Sequence, residues 1–394
     1  MSQFVNSCYN YDEMLNDLIN TKMIKTINEE KALRSVDYGY YFDTEGSHRE
    51  PDWQFEARRH MVYTTAALNA LMLNSGQKFL NIGSGVGYFS TVAGILLGNN
   101  SVNHGIEINE RFVDLAREKL AEFNLNSAAI DHHDFCEPIF IQGNACELLS
   151  TGYYDRVYCE AVVPYEKLIF MKSLIKINGI LVMPFDGFLW KVIRKDEIRY
   201  KAEIKSQLIE NAFSNLILPD FRSLKIVTFP PVKQLNLQEL CRNNIRSSMR
   251  QYLLKETDHL KMHTMCHNLI NTDPDKERFL WNIVKFISSF KPRVIELDHL
   301  SLLHKIKKIN NDSNTGLLSI CPGISDGLLK TTDKSGNSSK AESENDSEAI
   351  SHLTMYHFIK DYRVNKLSRC LKEEIYSLSI PTQVKHFLNY DRID

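Results

Sequence analysis

Apolar residues change their period several times along the chain, and each change predicts a different kind of element. Between Tyr11 and Ala32, Met14, Leu15, Leu18, Ile19, Met23, Ile24 and Ile27 recur at mostly helical spacing, which predicts one or two packing helices. An aromatic-rich stretch follows, read as core more readily than as a lid, and the pattern is helical again from about His60 to Leu73. Phe79, Leu80 and Ile82 then form an apolar run of strand length. Glycines follow at 83, 85 and 87, and Tyr88 to Leu97 resumes helical spacing. This predicts a strand, a tight turn and a helix. SVNHGIEIN reads as a second strand ending in Glu107, and Arg111 to Phe123 as an amphipathic helix. Ile139 to Gln142, Arg156 to Cys159, Gly179 to Phe185, Leu189 to Arg194 and Leu224 to Phe229 have strand length and composition, with Glu166 to Ile177 helical between them. The alternation predicts an α/β fold with a doubly wound, Rossmann-like sheet of about seven strands. Past Pro230-Pro231 it stops, and helical patterns take over.

The chemistry suggested by this pattern concentrates at the glycine turn. Glycines remove Cβ atoms where backbone must bend sharply, and they let a ligand approach the helix N-terminus. Glu107, 20 positions beyond Gly87, has the chemistry and spacing to accept ribose hydroxyls. In a doubly wound sheet, ligands sit outside the carboxyl ends of the strands, and Gly143-Asn144-Ala145 and Glu160-Ala161 fall on that rim. The Asn144 amide offers a donor and an acceptor to an adenine edge, or serves only as a turn residue. The spacing GxGxG, followed by Tyr88, favours S-adenosylmethionine over a dinucleotide. The candidate cofactor residues are Gly83, Ser84, Gly85, Gly87, Tyr88, Glu107 and Asn144.

Composition narrows the partners. With 394 residues, 43% of them hydrophobic and 24% charged, the chain has room for two or more domains. A formal net charge of −2 supplies no overall drive toward nucleic acid or an anionic membrane. No apolar run reaches the ~18 residues of a membrane span, and the first residues lack a signal-peptide core. Ser2 also excludes N-myristoylation. The expected location is cytoplasmic, with the nucleus as a further compartment. Eight scattered cysteines without a CxxC pair read as free thiols. His263, Cys266 and His267 crowd together without a second ligand cluster, so no metal is expected.

Four stretches in order, NDLINTKMIKTINEEKALRSVDYGYYF, FLNIGSGVGYFSTVAGILLG, NHGIEIN and GILVMP, resemble the protein-L-isoaspartate O-methyltransferase family over roughly residues 10 to 230. The resemblance is to its divergent, domain-containing branch. It implies a seven-stranded S-adenosylmethionine-dependent methyltransferase sheet, a cofactor held by the glycine turn, ribose contacts from Glu107 and adenine contacts from Asn144. It also implies a Ser-Ala-Pro segment just before the helix that precedes the turn, where this chain has Glu56-Ala57-Arg58. Glu56 would set a negative charge where a carboxylate substrate must come, unless Arg58 or Arg59 neutralises it. No other catalytic residue is indicated.

In LQELCRNNIRSSMRQYL, Leu237, Leu240, Cys241 and Ile245 form one apolar stripe, while Arg242, Arg246 and Arg250 line another face. The stripe resembles the BC-box that opens a SOCS box and docks into elongin C. Leu378-Ser379-Ile380-Pro381, followed by Val384, Phe387, Leu388 and Tyr390, resembles the cullin box that closes one, with Ser379 where the first proline is usual. The expected domains are a methyltransferase-like domain at 1–232, a helical region at 233–309 opening with the BC-box-like helix, a disordered linker at 310–351 rich in Ser, Asn, Asp and Gly, and a helical region at 352–394 with the cullin-box-like segment. These resemblances imply a substrate receptor of an elongin–cullin–RING ubiquitin ligase that recognises isoaspartyl or damaged proteins. Its partners would be elongin B, elongin C, cullin 5 with its RING protein, and protein substrates. The rival expectation is an active protein-L-isoaspartate O-methyltransferase whose C-terminal helices only pack.

Overall fold

The computed structural model describes residues 11–42, 51–149, 151–209, 211–220, 222, 225–231, 235–256, 294–297 and 365–392. Two helices open the chain, α1 (Tyr11–Asn20) and α2 (Ile27–Ser35). Thr26 starts α2 with a capping box: its side chain accepts from Glu29 N, and the Glu29 carboxylate returns to the Thr26 N–H at 3.0 Å. A short helix, α3 (Tyr38–Phe42), precedes α4 (Pro51–Leu71). The sheet strands are β1 (Lys78–Ile82), β2 (Val102–Glu107), β3 (Ile139–Gln142), β4 (Tyr154–Cys159), β5 (Ile175–Phe185), β6 (Phe188–Arg194), β7 (Tyr200–Gln207) and β8 (Val294–Leu297). Helices α5 (Tyr88–Leu97), α6 (Glu110–Asn126), α7 (Ala129–His132) and α8 (Leu168–Ser173) lie between strands.

The strand order is β8-β7-β6-β5-β4-β1-β2-β3. Strands β1 to β5 pair in parallel, and β6, β7 and β8 are added antiparallel. The chain winds outward from β1 to β3 and then returns to the other side of β1 at β4, so the switch in strand order lies between β1 and β4. Period-two alternation splits β1 between two cores. Phe79 joins the cluster with α1, α2, α4 and α5, while Leu80 and Ile82 join the opposite cluster with Leu168 and Met171 of α8. Among the described residues, no helix is long and apolar enough to cross a membrane.

Several expectations need correction. Of the strand expected over Leu224 to Phe229, the described residues 225–229 make a single isolated bridge, Leu148 with Val227, because that segment hooks onto Glu147 and Phe229 stacks on His104 instead of joining the ladder. The expected helix over Glu166 to Ile177 ends at Ser173, since Ile175 already belongs to β5. Strand β7 lies outside the expected strands, although YKAEIKSQ buries every second residue. Val294–Leu297 is a strand inside a stretch expected to be helical. Residues 310–351, and His263, Cys266 and His267, lie outside the described residues; among those described, no group of three or more His, Cys, Asp or Glu side chains could hold a metal ion.

The C-terminal helices are α9 (Leu237–Glu256), α10 (Lys366–Ser377) and α11 (Thr382–Leu388). Leu253, Leu367, Leu371, Ile375 and Leu388 form their shared core, so the two segments flanking residues 257–365 come together. The module is fixed to α7 by charge. Asp131, almost fully buried, receives Arg246 of α9 and, at 2.8 Å, Arg392. Arg250 donates to Asp131 O at 2.6 Å and pairs with Asp134 at 3.0 Å. The Tyr390 ring packs under the Arg242 and Arg246 guanidinium groups at 4.3 and 4.6 Å.

Candidate cofactor site

Three neighbouring strand ends build the site. Ile82 at the end of β1 is in register with Ile106 of β2 and Cys159 of β4, so the next residues, Gly83, Glu107 and Glu160, stand side by side on the rim. Two acidic residues thus straddle one glycine. Gly83 and Ser84 donate their backbone N–H groups to Ile106 O at 2.9 and 3.1 Å, and Gly87 N donates to Ser84 O at 3.0 Å. The turn's glycines have different reasons. Gly87 has φ +92°, and a Cβ there would lie 2.8 Å from Phe140 Cζ and 3.2 Å from Ala116 Cβ, so it permits α5 to approach β3 and α6. Gly85 has φ +51° and open space around the place of its missing Cβ, which is what a turn beneath a ligand requires.

Glu107 is buried at the end of β2. Its Oε2 accepts from Gly85 N and its Oε1 from Asn109 N, both at 3.0 Å. It therefore clamps the turn to its neighbouring strand, and each carboxylate oxygen keeps a lone pair for a further donor such as a ribose hydroxyl. Ser84 is buried too, and its hydroxyl has no hydrogen-bond partner among the described residues.

Two expected contacts are differently arranged. Asn144 lies on the rim after β3, but its Oδ1 accepts from Cys146 N at 2.9 Å and its Nδ2 donates to Ile217 O at 3.0 Å. Its amide is a strut that holds the 217 segment, so a side-chain contact with adenine is not preformed. Tyr88 opens α5 at the turn, yet its hydroxyl lies 2.8 Å from the Tyr11 hydroxyl and 3.3 Å from Met61 Sδ. Burial pushes that phenol well above its ordinary pKa. The Tyr38 and Tyr41 rings pack against it at 5.1 and 5.7 Å, as expected for a core aromatic stretch. Only the Tyr88 backbone remains for a ligand at the turn.

Sequence order puts Glu160 on the rim and indicates no role for it. Its N–H donates to Ile82 O at 2.8 Å, its Oε1 is enclosed and unpartnered, and burial, then the Glu107 charge, push its carboxyl up to about 8. The only signal in the sequence is an acid directly after the apolar strand YDRVYC. Beyond it, Ala161–Val162 pairs in parallel with Ser214–Asn215, which carries the chain from the β4 end toward Asn144.

On the substrate side, Glu56-Ala57-Arg58 lies within α4 and not before it. A Ser-Ala-Pro segment would stop a helix there, since proline lacks the N–H and restricts the residue before it; glutamate, alanine and arginine let the helix extend back to Pro51. Ala57 is buried, Arg58 pairs with Asp17 at 3.4 Å, and the Glu56 side chain lies outside the described residues.

The α9 stripe faces outward. Leu237 is 76% exposed, Leu240 and Ile245 are 39% and 38% exposed, and Cys241 is exposed, whereas Arg246 on the same helix is 1% exposed. Ile380 is half-buried against the helical core and Pro381 is exposed.

Residues 9–197 match the family model for protein-L-isoaspartate(D-aspartate) O-methyltransferase. The chain is 32% identical over 125 residues to the protein-L-isoaspartate O-methyltransferase of Methanococcoides burtonii, a match covering 32% of this chain and 56% of that protein. It is 26% identical over 167 residues to a probable cobalt-precorrin-6B C(15)-methyltransferase of Sulfolobus acidocaldarius, covering 39% and 81%. The chain thus spans about half the length of the first of these. Among solved structures, a putative protein-L-isoaspartate O-methyltransferase from Plasmodium falciparum, in complex with S-adenosyl-L-homocysteine, is 19% identical with a TM-score of 0.39, covering 53% of this chain and 99% of that one.

Proposed function

Residues 9–197 match the family model for protein-L-isoaspartate(D-aspartate) O-methyltransferase, and from that premise we propose that this chain carries a domain of that family and is an S-adenosylmethionine-binding substrate receptor of an elongin–cullin–RING ubiquitin ligase. The cofactor fits the residues present: the open face of Gly85, the lone pairs of Glu107 and the unpartnered Ser84 hydroxyl are the groups that would hold it. When bound, S-adenosylmethionine supplies a methyl group activated by a sulfonium. The domain would use that pocket to recognise isoaspartyl or otherwise damaged proteins.

The observation that carries the receptor reading is the orientation of α9. Soluble helices ordinarily bury their apolar stripe; α9 buries Leu253 in the shared helical core and Arg246 and Arg250 against Asp131 and Asp134, yet leaves Leu237, Leu240, Cys241 and Ile245 in its first half toward solvent. Such a stripe suits the apolar groove of elongin C. Packing of α9 with α10 and α11 supports one split box, with Ile380 and Pro381 offered to cullin 5 at its far end.

Truncating anchor side chains in a docking groove costs on the order of 2 kcal/mol or more each. Leu237→Ala with Cys241→Ala should abolish co-purification of elongin B and elongin C while leaving S-adenosylmethionine binding intact. Changing Ile380 and Pro381 should remove the cullin and retain the elongins. A wild-type chain that retains no elongin would sink the receptor reading. The second reading, an active protein carboxyl methyltransferase, is favoured by the complete glycine turn with Glu107 and tested by methyl incorporation into isoaspartyl peptides. With Glu56-Ala57-Arg58 in a continuous helix, that incorporation should be low or absent.

A further inference from the structure

Glu160 is an acid of the cofactor site whose Oε1 has no hydrogen-bond partner among the described residues. Its place is fixed by the bond from its N–H to Ile82 O and by the pairing of Ala161–Val162 with Ser214–Asn215. A Cβ on Gly83 would lie 3.6 Å from Glu160 Cβ, so the acid borders the turn directly. Across Gly83 stands Glu107, and the titratable neighbours on its own strand are Tyr158 and Cys159. None of these is basic. Two carboxylates flanking a glycine in an enclosed site, with no cation beside them among the described residues, make an unfavourable arrangement in the absence of a positively charged ligand or a proton.

Strand order says which part of the cofactor comes there. Glu107 ends β2 and Asn144 follows β3, so a ligand with its ribose at Glu107 and its adenine toward Asn144 extends its remaining arm the other way, across Gly83 toward β4. In S-adenosylmethionine that arm begins with the sulfonium. We propose that Glu160 is the anionic partner of this sulfonium, so that the site holds the charged methyl donor more tightly than the neutral thioether S-adenosylhomocysteine. The inference rests on the cofactor reading above. The ammonium at the end of the arm is common to donor and product, and a contact there would not separate them.

Calorimetry of the full chain with each compound, for the wild type and for Glu160→Gln, tests it. The wild type should prefer S-adenosylmethionine, and the variant should lose about tenfold or more in affinity for it while its affinity for S-adenosylhomocysteine changes by less than about threefold. Equal losses for both compounds would place Glu160 at the ammonium, and no loss would make it a structural acid; either result overturns the inference. If the wild type binds neither compound, the cofactor reading fails first and takes this one with it. If it binds both, the variant and the pH dependence of the wild type decide. Thermal unfolding without ligand, expected at or above the wild-type midpoint for Glu160→Gln, separates lost contact from lost fold. The wild type carries an independent readout: its preference for the donor should widen from about pH 6 to about pH 8.5, as the carboxyl ionises, and a flat preference would also overturn the inference.

Discussion

Glu107 shows how one side chain can serve fold and ligand together. Its two oxygens answer two backbone N–H groups, those of Gly85 and Asn109. Glu107→Gln leaves one acceptor oxygen for two donors, so the turn loosens and cofactor binding should weaken by about 1.5–3 kcal/mol, measured by calorimetry. Unchanged affinity would move the ribose elsewhere. Glu160 makes a prediction for the unliganded chain. Its folded-state carboxyl lies at about 8, above the ordinary value of 4.5. A raised acid holds its proton in the folded state at pH values where the unfolded chain has released it. Stability is therefore intact below the unfolded value, declines as pH rises between the two, and stays reduced above about 8. Glu160→Gln should unfold at a higher temperature than the wild type at pH 8, with the gap closing toward pH 5. A gap independent of pH would mean that Glu160 is not the titrating group.

At the scale of elements, two helices depart from simple patterning, and each departure has a cause. In α9 the exposed apolar stripe is the counterpart of buried guanidinium groups, because Asp131 offers Arg246 a partner that solvent-facing leucines do not need. In α4 no proline stands at 56–58 to act as a stop signal, and the helix runs through these residues. Arg58→Pro should introduce such a stop. Proline is well accommodated at the first helical position, so α4 should begin near residue 58, and limited proteolysis should cut within 51–57 where the wild type resists. An unchanged digestion pattern would show that neighbouring structure, and not local propensity, holds those two turns.

For the whole molecule, Asp131 decides whether the C-terminal helices ride as one body with the sheet. Burial alone would raise its carboxyl, but Arg392 and Arg246 outweigh that and hold it below the ordinary carboxylate range. Asp131→Asn leaves two guanidinium groups short of their counter-charge and should cost about 3–5 kcal/mol. Hydrogen exchange should locate the loss in α7 and α9 to α11, with β1 to β4 still protected; uniform loss throughout would mean that module and sheet unfold together. The pH dependence has the opposite sign to that of Glu160. A depressed acid contributes stability above its unfolded value, lost as pH falls through the lower folded value, so the module should detach first in acid.

The sequence by itself determined the strand, glycine turn and helix at 78–97, the acid at Glu107, the two opening helices and the parallel order of the first strands, because each is written in local period and turn chemistry. It also marked the stripe on α9. Tertiary structure alone decided which face of α9 is buried, since the answer lies on Asp131, more than a hundred residues away in the chain. It decided that Asn144 reaches Ile217 and that Tyr88 reaches Tyr11, because a side chain's partner is set by what the fold brings near it. It decided that Lys225 to Phe229 hooks onto Glu147 and His104 in place of entering the sheet. And it set Glu160 beside Gly83 and Glu107, a meeting of three strand ends that no period along one strand can encode, because register between strands is a non-local choice.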